Sequence, residues 1–557
     1  MVTRQETPGV GGTTDNTTAF AVSDLRVTFG RNQEAPVVKG VNFAVAAGST
    51  LAIIGESGSG KSVSLLAATG LLPGRHVSVS GSATLGSTNL LTRSPRELRS
   101  IRGKEIGFVF QDPQSNLHPL KTIGVAIGEA ITAHGRVPRK QVCARVLELL
   151  GEVGIRNPRQ RVDDYPVHFS GGMRQRVNIA AALALGPRVL IADEPTTALD
   201  VTVQAEILKL LKKLQNEHGT AIVYVSHDLA VVSDIADTVA VMRNGEIVET
   251  APATQIYRDP LHDYTRQLLT ATRHQLPSAD SPTRQDRSVS LSLTSVSKHY
   301  GKHSTKTETS ALKDISLNLH RGEILGLVGE SGSGKSTIGR IMAGLIRPTS
   351  GTASLSDVVF NAPGDGQLRL PSSIRTDIQM VFQDPYASLN PRRTIASTLA
   401  EPLRSFTKPT SAELQHQLRA LLARVELPEI LLSRYPAQLS GGQRQRVAIA
   451  RAIALSPAVL IADEPVSALD ITTARQILTL LRKLRDELDV SILFVSHDLG
   501  VVAALCDTVV VLSEGTIVES GPTRAVFERP AQEYTRRLID SIPGGGLDRT
   551  AADSHHV

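Results

Sequence analysis

Gly55-Glu-Ser-Gly-Ser-Gly-Lys61-Ser62 gathers glycines, hydroxyls and a lysine into one short stretch. The pattern G-x-x-x-x-G-K-[ST] is that of a P-loop, a turn that wraps nucleotide phosphates. Gly58 and Gly60 let the backbone turn where a Cβ would obstruct it. Their N–H groups, with a helix N-terminus behind them, form a nest for an anion. Lys61 is then placed to reach the β- and γ-phosphates, and the Ser62 hydroxyl to ligate Mg²⁺. Gly55, Ser57, Ser59 and Val63 complete this stretch. The same block recurs residue for residue as Gly329, Ser331, Gly332, Ser333, Gly334, Lys335 and Ser336, followed by Thr337. An accidental Gly-rich turn does not repeat itself in this way, so the chain is built as two copies of one domain.

Four further groups recur at near-constant spacing: Gln111-Asp-Pro with Gln383-Asp-Pro, Ser170-Gly-Gly with Ser440-Gly-Gly, Asp193-Glu194 with Asp463-Glu464, and His227 with His497. Two carboxylates ending an apolar strand suit Mg²⁺ and water chemistry at the nucleotide edge of a parallel sheet. Asp193 and Asp463 are expected to hold Mg²⁺, and Glu194 and Glu464 to polarise the attacking water. Each Ser-Gly-Gly opens a helix, a second place where backbone N–H groups can meet an anion.

The elements that must position these groups are legible around them. Leu51-Ala-Ile-Ile54, Ile106–Phe110, Val189–Ala192 and Ala221–Val225 are short apolar runs, expected as buried strands. Leu25–Phe29 and Val41–Val45 alternate or nearly so and are expected as strands before the first loop. A helical pattern runs from about 120 to 165, with Val142, Val146, Leu147, Leu149 and Leu150 on its apolar face, and another helix from Ser170 through Ala184. Residues 1–19 and 543–557 are expected as loose tails, the second carrying His555-His556, and 272–290 as a linker bearing Pro277 and Pro282. The two domains are then 20–271 and 291–542.

With these motifs in place the chain resembles the ATP-binding cassette (ABC) ATPases over nearly all of 20–540. The most specific feature is Leu439-Ser-Gly-Gly-Gln443, the family signature, with the variant Phe169-Ser-Gly-Gly-Met173 in the first copy. The resemblance implies an α/β fold: two tandem P-loop NTPase domains, each with a RecA-like core, an antiparallel β subdomain and an α-helical signature subdomain. It implies a γ-phosphate contact for His227 and His497, and a Mg²⁺- and γ-phosphate-sensing role for Gln111 and Gln383. It also implies adenine stacking for Phe29 and Tyr300, against which packing in the core stands as the alternative. The expected metal ligands are therefore Ser62, Gln111 and Asp193, with Ser336, Gln383 and Asp463. The family closes two domains head to tail, implying an intramolecular domain dimer. One site would combine Lys61, Glu194 and His227 with Ser440, Gly441, Gly442 and Gln443. The other would combine Lys335, Glu464 and His497 with Ser170, Gly171, Gly172 and Met173.

Composition limits the remaining choices. The chain has 557 residues, 41% hydrophobic and 20% charged, with net charge +6, ordinary for globular domains. The mild basic excess identifies no partner. Its two cysteines, Cys143 and Cys506, form neither a disulfide framework nor a four-cysteine metal site. Met1–Thr18 lacks the apolar centre of a signal peptide, and no long uncharged apolar run is present to span a bilayer.

Two functions compete: an importer's ATPase, and a soluble twin-cassette protein acting on ribosomes or nucleic acid. The latter should carry a long basic arm between cassettes or zinc-type cysteine pairs, and neither is present, so no nucleic-acid partner is expected. Asp112–Pro119 and Asp384–Pro391 resemble the segment after the Q-loop in oligopeptide, dipeptide and nickel importers. So do Pro260-Leu-His-Asp-Tyr264-Thr-Arg-Gln-Leu and its copy Pro530-Ala-Gln-Glu-Tyr534-Thr-Arg-Arg-Leu. Residues 265–290 lack the cysteines that hold an iron–sulfur cluster in many such proteins, so ATP and Mg²⁺ are the expected ligands. The partners implied are two transmembrane permeases and, indirectly, an extracytoplasmic binding protein, with the chain peripheral on the cytoplasmic face of the cell membrane. Peptide is the cargo implied first; nickel chelates, glutathione and haem stay open.

Overall fold

Strands covered on both faces read as near-continuous apolar runs, and the segments Thr50–Ile54, Val189–Asp193 and Ala221–Ser226, mostly apolar, are buried at every residue. The computed structural model describes residues 18–30, 35–72, 74, 76–111, 116–196, 199–272, 287–300, 309–364, 368–467 and 469–542. Asp112–Ser115, most of the linker expected at 272–290, and nearly all of both tails lie outside these residues. Thr18 and Ala19, expected in the first tail, belong to a strand, and Thr272 ends a helix.

The chain divides into two compact units, one holding most residues up to Gln267 and the other most from Leu268 onward. Among the described residues the first unit contains ten strands: β1 Thr18–Phe29, β2 Val38–Ala46, β3 Thr50–Ile54, β4 Val77–Leu85, β5 Thr88–Asn89, β6 Ile106–Val109, β7 Val189–Asp193, β8 Ala221–Ser226, β9 Thr238–Arg243 and β10 Glu246–Pro252. They form an antiparallel sheet in the order β2-β1-β4-β5 and a larger sheet in the order β10-β9-β3-β8-β7-β6. In the larger sheet β9, β3, β8, β7 and β6 run parallel, and β10 closes one edge antiparallel to β9. The sheets share a core in which Phe20, Leu25 and Val41 join Leu51, Ile53 and Leu65.

The second unit repeats this plan. Its strands are β11 Val289–Tyr300, β12 Thr309–His320, β13 Ile324–Val328, β14 Ser350–Leu355, β15 Val358–Asn361, β16 Ile378–Val381, β17 Val459–Asp463, β18 Ser491–Val495, β19 Thr508–Ser513 and β20 Thr516–Pro522. The sheet orders are β12-β11-β14-β15 and β16-β17-β18-β13-β19-β20. In both units the strand feeding the Gly-rich loop is central, flanked by parallel neighbours on each side. Ligand crevices of open α/β sheets lie beyond the carboxyl ends of such strands.

The stretch expected to be helical at about 120–165 resolves into Ile123–Thr132, Arg139–Glu152 and the short Pro158–Arg161. Helix Gly171–Ala182 follows the first Ser-Gly. Its counterparts Ile395–Phe406, Ser411–Arg424 and Gly441–Ile453 carry the matching helical layer. Among the described residues no helix is long and apolar enough to cross a membrane.

Candidate functional site

The loop after β3 takes a path only glycine follows easily. Gly55 has φ +156°, and a Cβ there would lie 2.1 Å from the Met242 carbonyl oxygen; at Gly329 the Leu512 carbonyl oxygen would be equally close. Gly60 and Gly334 cap the following helices in the left-handed region, and Lys61 and Lys335 are the first helical residues. The lysines fold back over their own loops. Lys61 Nζ donates to the carbonyls of Gly55 (2.7 Å) and Glu56 (2.9 Å), and Lys335 Nζ to those of Gly329 (2.7 Å) and Glu330 (2.8 Å). Burial holds the Lys335 ammonium below the usual lysine range. Ser59 and Ser333 each carry a buried hydroxyl with no hydrogen-bond partner. An ammonium at a helix N-terminus, with orphaned hydroxyls in the same loop, fits a phosphate chain.

Beside each loop stands a carboxylate–hydroxyl pair. Ser62 Oγ donates to Asp193 Oδ1 at 2.9 Å, and Ser336 Oγ to Asp463 Oδ1 at 3.2 Å. Burial raises Asp193 to about 6, the Ser62 hydrogen bond opposing and the Glu194 charge adding to the rise. Asp463 is raised for the same principal reason. A buried carboxylate next to a hydroxyl gains most from a divalent cation, which restores the charge that burial disfavours. Among the described residues no cluster of three or more His, Cys, Asp or Glu side chains is arranged to hold a metal by itself. Ser62 with Asp193, and Ser336 with Asp463, therefore fit a Mg²⁺ that takes its remaining ligands from water and phosphate.

The ends of β6, β7 and β8 are neighbours in the sheet, and they bring three side chains together. Glu194 Oε2 accepts from Gln111 Nε2 at 2.8 Å and lies 3.3 Å from His227 Nδ1. At the ends of β16, β17 and β18, Glu464 accepts from Gln383 Nε2 at 2.7 Å and lies 3.2 Å from His497 Nδ1. Both glutamates have positive φ, 44° and 46°. A non-glycine residue held there stores backbone strain, a feature that clusters at functional sites. Burial lowers the imidazole pKa, but the adjacent glutamate outweighs it, so His227 and His497 are both raised. Conversely, burial pushes Glu464 up, while the hydrogen bond and charge of His497 bring it below the ordinary value.

The Ser-Gly-Gly groups cap their own helices. Ser170 Oγ accepts from the N–H of Met173, and Ser440 Oγ from that of Gln443. Gln443 Oε1 reaches back to the Ser440 N–H at 3.1 Å and closes a capping box that Met173 cannot form. Gly441 and Gly442 start that helix, and a Cβ on Gly442 would meet Thr473 Cγ2 at 2.3 Å. Gly171 and Gly172 start the other. Phe29 and Tyr300 end β1 and β11 with 36% and 45% of their surface exposed, so neither is core packing. Ser57 and Ser331 are exposed on their loops; Val63 and Thr337 are half-buried in the first helical turns.

Recurrence alone did not show what Tyr264 and Tyr534 touch. The Tyr264 hydroxyl accepts from the Glu56 N–H at 3.2 Å across 208 residues, and that of Tyr534 from the Glu330 N–H at 3.4 Å.

Comparison with known proteins matches residues 38–197 and 312–467 to the family described as ABC transporter. Residues 248–301 and 518–551 match the oligopeptide/dipeptide transporter C-terminal region. The glutathione import ATP-binding protein GsiA of Salmonella choleraesuis is 41% identical over 564 residues, covering 95% of this chain and 90% of that protein. GsiA of Escherichia coli is 40% identical over 564 residues, covering 94% and 89%.

Proposed function

Since the chain belongs to the ABC transporter family, as an ATP-binding, ATP-hydrolysing importer subunit of the oligopeptide/dipeptide type, we propose that it drives uptake of glutathione or peptides of similar size. The observation that carries this cargo is full-length similarity to proteins named for glutathione import, at 41% identity over 95% of the chain. It favours glutathione, one of the alternatives left open above, over di- and oligopeptides at large.

Lys61 and Lys335 exchange their loop carbonyls for phosphate oxygens when nucleotide enters. Ser62 with Asp193, and Ser336 with Asp463, would hold Mg²⁺, which would supply charge neutralisation at the phosphates. Gln111 and Gln383 extend the metal-facing side of each site. Glu194 and Glu464 accept a proton from the attacking water, each held in place by its glutamine and histidine. Either Glu–His pair can keep a proton near the reacting oxygen, because the raised imidazole pKa favours the charged form. Phe29 and Tyr300 offer surface rings for the adenine base. Ser170–Met173 and Ser440–Gln443 present helix N-termini that we assign to nucleotide phosphate. Two permeases and an extracytoplasmic binding protein are the partners, with the chain peripheral on the cytoplasmic side.

The test is transport. The chain is co-reconstituted in proteoliposomes with its cognate permeases and binding protein, and ATP-driven accumulation of labelled glutathione is measured against unlabelled dipeptides. Accumulation resistant to a large dipeptide excess is expected. Uptake of dipeptides with no uptake of glutathione would overturn the cargo.

A further inference from the structure

The repeated Pro-x-x-x-Tyr-Thr-Arg segment has no part in the chemistry above, yet in each unit it reaches the nucleotide loop. The peptide joining Gly55 to Glu56 is held at both ends: its carbonyl accepts from Lys61 Nζ at 2.7 Å, and its N–H donates to the Tyr264 hydroxyl at 3.2 Å. The Gly329–Glu330 peptide is held likewise by Lys335 at 2.7 Å and by Tyr534 at 3.4 Å. Gly55 and Gly329 have φ +156° and +149°, so this peptide plane is not fixed by the ordinary backbone preferences of an L-residue. An outside partner sets its orientation, and that orientation places the carbonyl on which the lysine rests.

The tyrosine is itself anchored. Glu249 on β10 accepts from the N–H groups of Leu261 and His262 at 2.8 and 3.1 Å and from the Thr265 hydroxyl at 2.5 Å, fixing the start of helix Asp263–Thr272. Glu519 on β20 accepts from Ala531 and Gln532 N–H at 2.8 and 3.1 Å. The Arg243 guanidinium lies 4.6 Å over the Tyr264 ring, and Tyr264 is only 3% exposed. A line of contacts thus runs from Glu249 through the segment to Tyr264, to the Gly55–Glu56 peptide, and to Lys61.

We propose that Tyr264 and Tyr534 are positioning residues for the phosphate loops, through which the segment after the last strand of each unit presets its lysine for nucleotide. The proposal rests on the loops being nucleotide sites. Two measurements test it in the full chain carrying Tyr264→Phe or Tyr534→Phe, which keep the ring and lose the hydroxyl. Without nucleotide, amide hydrogen exchange should speed up in the loop of the altered unit (51–62 or 325–336), while exchange elsewhere in the unit stays unchanged and melting falls by no more than the few degrees one hydrogen bond costs. ATP affinity of that unit, measured in a chain whose other loop lysine is replaced by alanine, should weaken roughly three- to tenfold, as for one lost hydrogen bond. Unchanged loop exchange, or unchanged affinity despite faster exchange, would overturn the proposal. If the parent chain bound no ATP, the nucleotide-site reading would fail, and the exchange result would still decide whether the tyrosine holds the loop.

Discussion

Glu194 and Glu464 sit at a junction of backbone strain and side-chain pairing, and each is the only group in its unit that bonds both the Gln and the His of its site among the described contacts. Replacing the carboxylate by an amide keeps the shape and removes the base. Glu194→Gln and Glu464→Gln should each lower steady-state ATP turnover of the assembled transporter about a hundredfold or more. Full turnover in either variant would show that its glutamate is not a working base. The Glu464–His497 pair also sets a pH window. A raised histidine stabilises the fold fully below its ordinary value of 6.5 and loses that contribution as pH climbs through the raised one. A lowered glutamate contributes above its ordinary 4.5 and loses it as pH falls through the depressed value. The melting difference between the parent chain and His497→Gln should therefore be largest from pH 4.5 to 6.5 and shrink on both sides. A difference that grows steadily into alkali would contradict the pairing. At this scale the sequence showed residue types, because the loop, the paired acids and the histidines recur. It did not show the glutamates' positive φ or the Gln–Glu bond, which arise where three strand ends separated by long stretches of chain become neighbours.

The two signature helices differ at one cap. Ser440 and Gln443 satisfy each other's backbone N–H groups, whereas Met173 leaves the Ser170 N–H without that side-chain acceptor. A thioether is a poor acceptor compared with an amide oxygen. Met173→Gln should complete the box and stabilise the first unit by about 0.5–1 kcal/mol, and Gln443→Met should cost the second a similar amount. Chemical denaturation of the two variants checks both signs; equal stability in both would remove the cap as the point of difference. The Gln443 oxygen is thus occupied within its own helix, the use that the Ser-x-x-Gln spacing signals. Elements were legible where burial is complete. The wholly buried β3, β7 and β8 and the periodic helices at 123–152 stand near their expected positions. The serine-rich β4 was harder to read, since it is largely exposed and its alternation sets only small apolar residues against serines, with no long apolar run. The short β5 follows β4 through a tight turn and is tied to it also by the Asn89 side chain, which accepts from the Ala83 N–H.

Across the whole molecule, two units repeat the same sheet orders, and each contains its own lysine, Ser–Asp pair and Gln–Glu–His group. The repeat made this much legible from one chain, because each motif supplied a control for the other. Cargo was not legible, because the repeated loop, carboxylate, glutamine and histidine groups are of types suited to phosphate, Mg²⁺ and water and carry no signal for a solute. The central claim is that both units of one chain bind ATP. Isothermal titration of Mg–ATP into the Glu194→Gln/Glu464→Gln double variant, in which hydrolysis is suppressed, tests it most directly. Two ATP molecules per chain are predicted, falling to one when Lys61→Ala is added. A stoichiometry of one in the double variant itself, unaffected by Lys61→Ala, would contradict it.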